Sequence, residues 1–247
     1  MEKALTIYLF IFILGACIGS FLCCLSYRII NKLPFINDRS RCDYCGSLLK
    51  TSDLIPLISY LLNKGKCKYC GHKISLKYPL SELLIGVISI LIYYKFGLSL
   101  YFVLYLVLMC LLFVISYIDY ETYYIFDSFL IMLLLIGITL LLIKGNLING
   151  LINGLVLSLM IWLVRLVLNK ALKAETMGLG DIKLLFVLGI LNSFYLNIIG
   201  LFISCFLALI FSTLYKKKII PFGPFICAGY FIVIVYGDLI INLANNL

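Results

Sequence analysis

The stretch LSLYFVLYLVLMCLLFVISYID, residues 98–119, decides the fold. From Leu98 to Ile118 it carries no charged residue, and a helix of about 20 such residues crosses the ~30 Å hydrocarbon core of a bilayer. It then runs directly into Asp119. Comparable apolar runs cover Ile7 to Tyr27, Leu80 to Tyr94, Ser128 to Ile143, Leu147 to Leu168, Ile182 to Phe194, Ile198 to Tyr215 and Phe222 to Ile241, which makes eight predicted spans. The shorter ones are accommodated by local thinning of the bilayer and by snorkelling of flanking side chains. Of the 247 residues 64% are hydrophobic and 13% charged, whereas soluble domains carry about 45–50% and about 25%. The composition excludes a soluble globular domain. It predicts an all-α, polytopic membrane helical bundle, with no internal repeat of solenoid length.

The first run is preceded by a single Lys and followed by a basic segment without a small-residue cleavage site, so it reads as a retained span. The net charge of +9 is accompanied by no basic helix or RNA-binding pattern, so nucleic acid is not a predicted partner. The charges sort instead by side of the membrane. With eight spans and both termini outside, 17 of the 20 Lys and Arg residues fall in inner segments, Lys217 and Lys218 among them, and only Lys3, Lys95 and Lys144 in outer ones. Positive residues accumulate on the cytoplasmic side, so this asymmetry sets the orientation. The one long polar stretch then faces the cytoplasm. The predicted organisation is a first transmembrane helix in residues 1–30, a cytoplasmic loop in 31–79 and a membrane core in 80–247.

Within that loop the sequence reads Cys42-Asp43-Tyr44-Cys45-Gly46 and, with 21 residues between Cys45 and Cys67, Cys67-Lys68-Tyr69-Cys70-Gly71. A C-x-x-C turn aims two thiolates at one ion while the following Gly permits the tight backbone. Two such turns complete a closed tetrahedral zinc site, which suits structure rather than catalysis. A pair of disulfides would satisfy the same spacing but is disfavoured in a reducing cytosol. Cys42, Cys45, Cys67 and Cys70 are therefore the candidate metal ligands. His72, the only histidine, reads as a solvated loop residue. Cys17, Cys23, Cys24, Cys110, Cys205 and Cys227 are scattered through spans as small apolar side chains.

Ionisable groups at membrane depth are costly and mark candidate sites. Asp119 ends the third predicted span, Asp127 begins the fourth, and Asp181 opens the sixth within Met177-Gly178-Leu179-Gly180-Asp181-Ile182-Lys183. All three fall on the cytoplasmic side. Two carboxylates sharing a proton supply a base and an acid together, with apparent pKa values driven apart by like-charge repulsion and raised by an apolar site. The plainer reading has Gly178 and Gly180 ending one helix, with Asp181 and Asp127 as N-terminal charges on the next. Spacing leaves both readings open, as it does for Glu82, a ligand-orienting group or a boundary charge. Asp238 is interfacial.

These residues resemble the type IV prepilin peptidase family of GxGD membrane aspartyl proteases. The resemblance rests on Gly19-Ser20-Phe21-Leu22 with Tyr27-Arg28, on the two cysteine turns flanking Ile55-Pro56-Leu57-Ile58-Ser59-Tyr60, and on Lys77-Tyr78-Pro79-Leu80-Ser81-Glu82. It extends through Gly178-Leu179-Gly180-Asp181-Ile182-Lys183-Leu184 and Pro221-Phe222-Gly223-Pro224-Phe225. Phe126 stands where the family usually has proline before Asp127, and Cys23 stands where it often has asparagine. The resemblance implies an aspartic endopeptidase of the bacterial inner membrane with Asp119 and Asp181 catalytic and Gly178, Gly180, Lys183 and Asp127 supporting them. It implies a prepilin or pseudopilin substrate in the bilayer, cut after a glycine between a basic leader and a hydrophobic helix. It also implies S-adenosylmethionine-dependent N-methylation of the new N-terminus, linked to Gly65, Lys66 and Glu82. A transporter with ion-binding acids and a zinc-loop scaffold are the competing classes. Transporters place their sites at the bilayer midplane, commonly between repeats, whereas these acids gather at one face.

Overall fold

A computed structural model describes residues 2–34, 39–216 and 219–245. Among the described residues the chain is helical, with α1 Glu2–Ile30, α2 Ile58–Leu62, α3 Lys77–Phe96, α4 Leu100–Thr122, α5 Asp127–Lys144, α6 Leu147–Leu172, α7 Leu179–Gly189, α8 Phe194–Tyr215 and α9 Gly223–Asn245. A 3-10 turn covers Thr51–Leu54. Pairing of the β type is confined there to two isolated antiparallel bridges. Seven helices are long and apolar enough to cross a membrane, so the chain is a multi-pass membrane protein. Lys217 and Lys218, the side chain of Lys3, and positions 35–38 of the loop lie outside the described residues.

The predicted sixth span takes a different form. Its helix, α7, has 11 residues, about 16 Å at 1.5 Å per residue, roughly half the hydrocarbon core. The last carbonyls of a helix lack intrahelical donors, and in a bundle they must find others. Asparagines supply them here. Asn192 donates its amide to the Leu188 carbonyl at 3.2 Å, and Asn197 donates to that of Gly189 at 2.9 Å. The chain then restarts at α8, where the Ser193 hydroxyl accepts from the Leu196 amide.

The chain divides into two compact units, Met1–Leu106 and Val107–Leu247. In the first, α1 lies on α3 through small residues. A Cβ on Gly19 would come within 2.5 Å of the Ser81 carbonyl oxygen, and one on Gly15 within 2.9 Å of the Gly86 Cα. Helices in lipid associate by this kind of close backbone approach rather than by hydrophobic burial. In the second unit, a Cβ on Gly154 of α6 would sit 2.7 Å from the Phe186 carbonyl oxygen of α7, and one on Gly229 of α9 would sit 2.6 Å from that of Gly200 of α8. The close approach at Gly154 packs α6 against the C-terminal half of short α7.

Candidate active site

Asp119 occupies the last turn of α4 and is buried, with 4% of its surface exposed. The helix stops four residues later, where Tyr123 takes a positive φ of 56° and donates its amide to the Asp119 carbonyl at 2.8 Å. The Asp119 carboxylate is fixed from the far side of the unit. The backbone N–H of Gly223, first residue of α9, donates to its Oδ2 at 2.9 Å. Only glycine fits there, because a Cβ would meet Oδ2 at 2.7 Å and the carboxyl carbon at 3.1 Å.

Phe126 is the N-cap of α5 and has φ −73°, ψ 128°. That φ lies inside the narrow range that proline imposes, so phenylalanine holds the turn in the geometry the usual proline would set. Asp127 is the first residue of α5 rather than its N-cap.

Asp181 is the third residue of α7, with Gly178 as N-cap. Its half-buried carboxylate lies beside Gly178, where a Cβ would come within 3.4 Å of Oδ2. The segment before it is held by α6. Arg165 donates Nε to the Met177 carbonyl at 2.7 Å, and Asn169 Oδ1 accepts from the Thr176 amide and hydroxyl at 2.9 and 2.7 Å. Gly180 lets the first turn of α7 close on the short connection between α4 and α5, since a Cβ there would lie 3.1 Å from the Ile125 Cβ.

Both acids line one cavity of about 240 Å³ with Tyr123, Tyr124, Ile125, Asp127, Gly178, Leu179, Gly180 and Lys183. At its rim Lys183 reaches Asp127 Oδ1 at 2.6 Å, with side chains 54% and 60% exposed. Exposed pairs contribute about 0–1 kcal/mol, so this ion pair ties α5 to α7 without carrying the fold. Asp181 lies outside the seven spans. Burial, reinforced by the negative charge of Asp119 and opposed by the Gly178 N–H, pushes its carboxyl up to about 7. All six residues read from the sequence as a catalytic loop thus meet at one cavity. Gly223 and Arg165 were legible only as a turn residue and an inner charge. Cys227, buried one turn along α9 from Gly223, lies within electrostatic reach of both acids.

The cysteine turns form a second cluster. In each, the amide of the first Cys donates across the turn, Cys42 to the Ser47 carbonyl at 3.0 Å and Cys67 to that of His72 at 2.8 Å. Gly46 and Gly71 take φ of 69° and 71°, the left-handed conformation that glycine adopts without penalty. The four Sγ atoms lie within 4.8 Å of one another, Cys42 and Cys70 at 4.0 Å. Zn–S bonds of about 2.3 Å in a tetrahedron place sulfurs about 3.8 Å apart, so the donor set fits a tetrahedral ion. The Ser47 hydroxyl, 3.2 Å away, and the Ser47 amide lower the Cys45 thiol to about 6, favouring the thiolate that a metal takes. His72 is occupied otherwise, stacked on Tyr44 with centroids 4.0 Å apart.

The residues linked to methyl transfer lie around the same loop. Buried Gly65 (φ 69°) follows α2, with the Tyr60 hydroxyl packed so closely that a Cβ would come within 2.7 Å of it. Lys66 is exposed. Glu82, buried near the start of α3, accepts the Leu57 N–H at 2.7 Å. The carboxylate orients loop backbone rather than a cysteine.

Comparison with known proteins places the whole chain. Residues 13–96 match the Bacterial Peptidase A24 N-terminal domain, and residues 106–213 match the Type IV leader peptidase family. A Bacillus subtilis (strain 168) protein named prepilin leader peptidase/N-methyltransferase is 31% identical over 245 residues, covering 94% of this chain and 95% of that protein. A Dichelobacter nodosus protein of the same name is 32% identical over 209 residues, covering 80% and 71%. One from Neisseria gonorrhoeae is 28% identical over 263 residues, covering 94% and 92%. No solved structure gives a significant match. With relatives above 30% identity matched along most of their length, and with the two domains in family order, this chain belongs to the type IV leader peptidase family.

Proposed function

We propose that the chain is a prepilin leader peptidase in which Asp119 and Asp181 hydrolyse the peptide bond after a glycine of a prepilin or pseudopilin. The observation that carries this reading is the shared cavity, since two acids from separate helices, α4 and α7, line one space. Its volume of about 240 Å³ is below the ~300–1,000 Å³ of small-molecule pockets. That suits an extended backbone with a small side chain, as a glycine at the cut presents. The ionised carboxylate takes a proton from water, whose oxygen attacks the carbonyl carbon, while the protonated carboxyl gives its proton to the carbonyl oxygen. Collapse of the tetrahedral intermediate breaks the C–N bond, and a proton passes to the leaving amine.

The Asp181 carboxyl, held near about 7, keeps the shared proton below that pH and loses it above. Cleavage is therefore expected to fall about tenfold per unit on the alkaline side, with the bend near pH 7 belonging to the pair. Initial rates in proteoliposomes across neutral pH test this. A rate still rising well above neutrality would contradict it.

Gly223→Ala forces the Asp119 carboxylate or the start of α9 to move, and a displacement of about 1 Å at a reacting group can cost 10²-fold. The expected outcome is a loss of that order in kcat with KM nearly unchanged, read on protein that still inserts in the membrane.

N-methylation of the released amine is proposed as the second activity. S-adenosylmethionine supplies the methyl group, and exposed Lys66 fits a partner for its carboxylate. In this organisation residues 31–79 form a zinc-stabilised loop serving methyl transfer and residues 80–247 the peptidase core. The charge asymmetry supports a cytoplasm-facing site in the bacterial inner membrane with both termini outside, which takes short α7 and the residues after it as the eighth crossing.

A further inference from the structure

The loop that carries the cysteine turns also carries an apolar surface that neither activity uses. Between residues 54 and 62, Leu54, Ile55, Ile58, Leu61 and Leu62 are all exposed, the last two at 73% and 77%. Scattered exposed leucines need no explanation, but a contiguous patch on a polar loop marks a binding surface. Exposed Lys50 and Lys64 flank it on either side.

Its position identifies the partner. The Leu57 N–H, at the start of α2, donates to Oε2 of Glu82, which is only 7% exposed. Glu82 is the sixth residue of α3, a membrane span, so it stands about 8 Å in from the first residue of that span. The base of α2 is therefore pinned beside a span already under way. The start of a span meets the lipid interface, where amphipathic segments bury apolar side chains ~5–10 Å into the headgroup and acyl boundary. Leu57 itself adopts φ 60°, ψ −46°, a conformation L-residues avoid and that persists where surrounding contacts impose it.

The charge matches as well. Residues 39–76 contain seven Lys and Arg against two acids. Both acids are engaged within the unit, Asp43 by the Tyr78 hydroxyl at 3.0 Å and Asp53 by the Tyr69 hydroxyl at 3.0 Å. Four thiolates on one zinc ion add two negative charges and leave the segment basic. A basic, apolar-tipped segment next to a span is what an anionic leaflet attracts.

We propose that Leu54, Ile55, Ile58, Leu61 and Leu62, flanked by Lys50 and Lys64, dock on the anionic lipid surface of the bilayer that the spans cross. The docked face seats the cysteine loop on the membrane. The surface does not depend on the protease reading, and its test reads lipid contact rather than cleavage.

Trp162 is the only tryptophan, so Leu62→Trp in a Trp162→Phe background places a single reporter on the patch. The full-length, zinc-loaded protein is reconstituted in nanodiscs of phosphatidylcholine with brominated acyl chains, with or without phosphatidylglycerol. Docking gives blue-shifted emission that loses about half its intensity to the bromines, with stronger quenching when phosphatidylglycerol is present. Lys50→Gln with Lys64→Gln removes that increment. Emission of a water-exposed indole, unquenched in both lipids, overturns the proposal. So does a blue shift that appears only when precursor protein is added, which makes the face a protein-docking surface. Hydrogen exchange on the unaltered chain needs no reporter. Amides 58–64 exchange severalfold more slowly in the anionic nanodiscs than in the zwitterionic ones if the face docks, and equal rates overturn it.

Discussion

Asparagine at either Asp119 or Asp181 yields a protein that inserts and folds normally but cleaves its precursor about 10³-fold more slowly or worse, at the scale of a lost acid–base group. Asparagine keeps the carboxylate's shape, and at position 119 its carbonyl oxygen can still accept the N–H that Gly223 gives. The local structure therefore has no reason to change, and a neutral amide beside the remaining carboxyl adds no like-charge repulsion. The lost property is proton exchange, because an amide neither takes a proton from water nor returns one. The two substitutions act on one proton shared by a pair, so the double variant is expected to be no slower than the single ones. Cleavage rates beside thermal unfolding in the same detergent separate this from misfolding. A rate loss tracking a stability loss would contradict it.

Stripping zinc from the cysteine cluster, or replacing Cys42 with Ser, unfolds the loop while leaving the spans intact. The loop has little else to hold it. Between residues 39 and 76 only Gly65 and Cys67 are buried, and two isolated bridges supply the regular pairing in that segment. Structural zinc in comparably small units provides about 10–16 kcal/mol of apparent binding free energy, far above anything those contacts offer. Hydrogen exchange across 39–76 is expected to reach the unprotected rate after chelation, with the amides of α1 and α3 unchanged and N-methylation lost. A loop that stays protected without metal would show that its fold rests on something else.

Most of the architecture was legible in the sequence because bilayer spans are written as long uncharged runs. The break after Gly189 was not, because Ile190 and Leu191 continue the apolar run before Asn192 and Ser193 interrupt it. The signal was present in those two residues, an asparagine that donates to the Leu188 carbonyl of α7 and a serine that caps α8. At the site, the acids and glycines could be named from local motifs, but their partners could not. Gly223 is 104 residues from Asp119, and Lys183 is 56 from Asp127. No spacing rule joins residues so distant without the fold. Asp127, read as an N-terminal helix charge, is one, and it also holds Lys183 at the cavity rim. Phe126 looked like a departure from the expected turn, yet its φ shows that the backbone geometry survives the change of residue.

The paired-aspartate account is tested most directly by intact-mass spectrometry of a prepilin-type precursor co-expressed with the wild-type chain, with Asp119→Asn and with Asp181→Asn. It predicts a mature product lacking its leader and carrying one added methyl group from the wild type, and full-length precursor from both variants. Mature-length product made by either variant would contradict it.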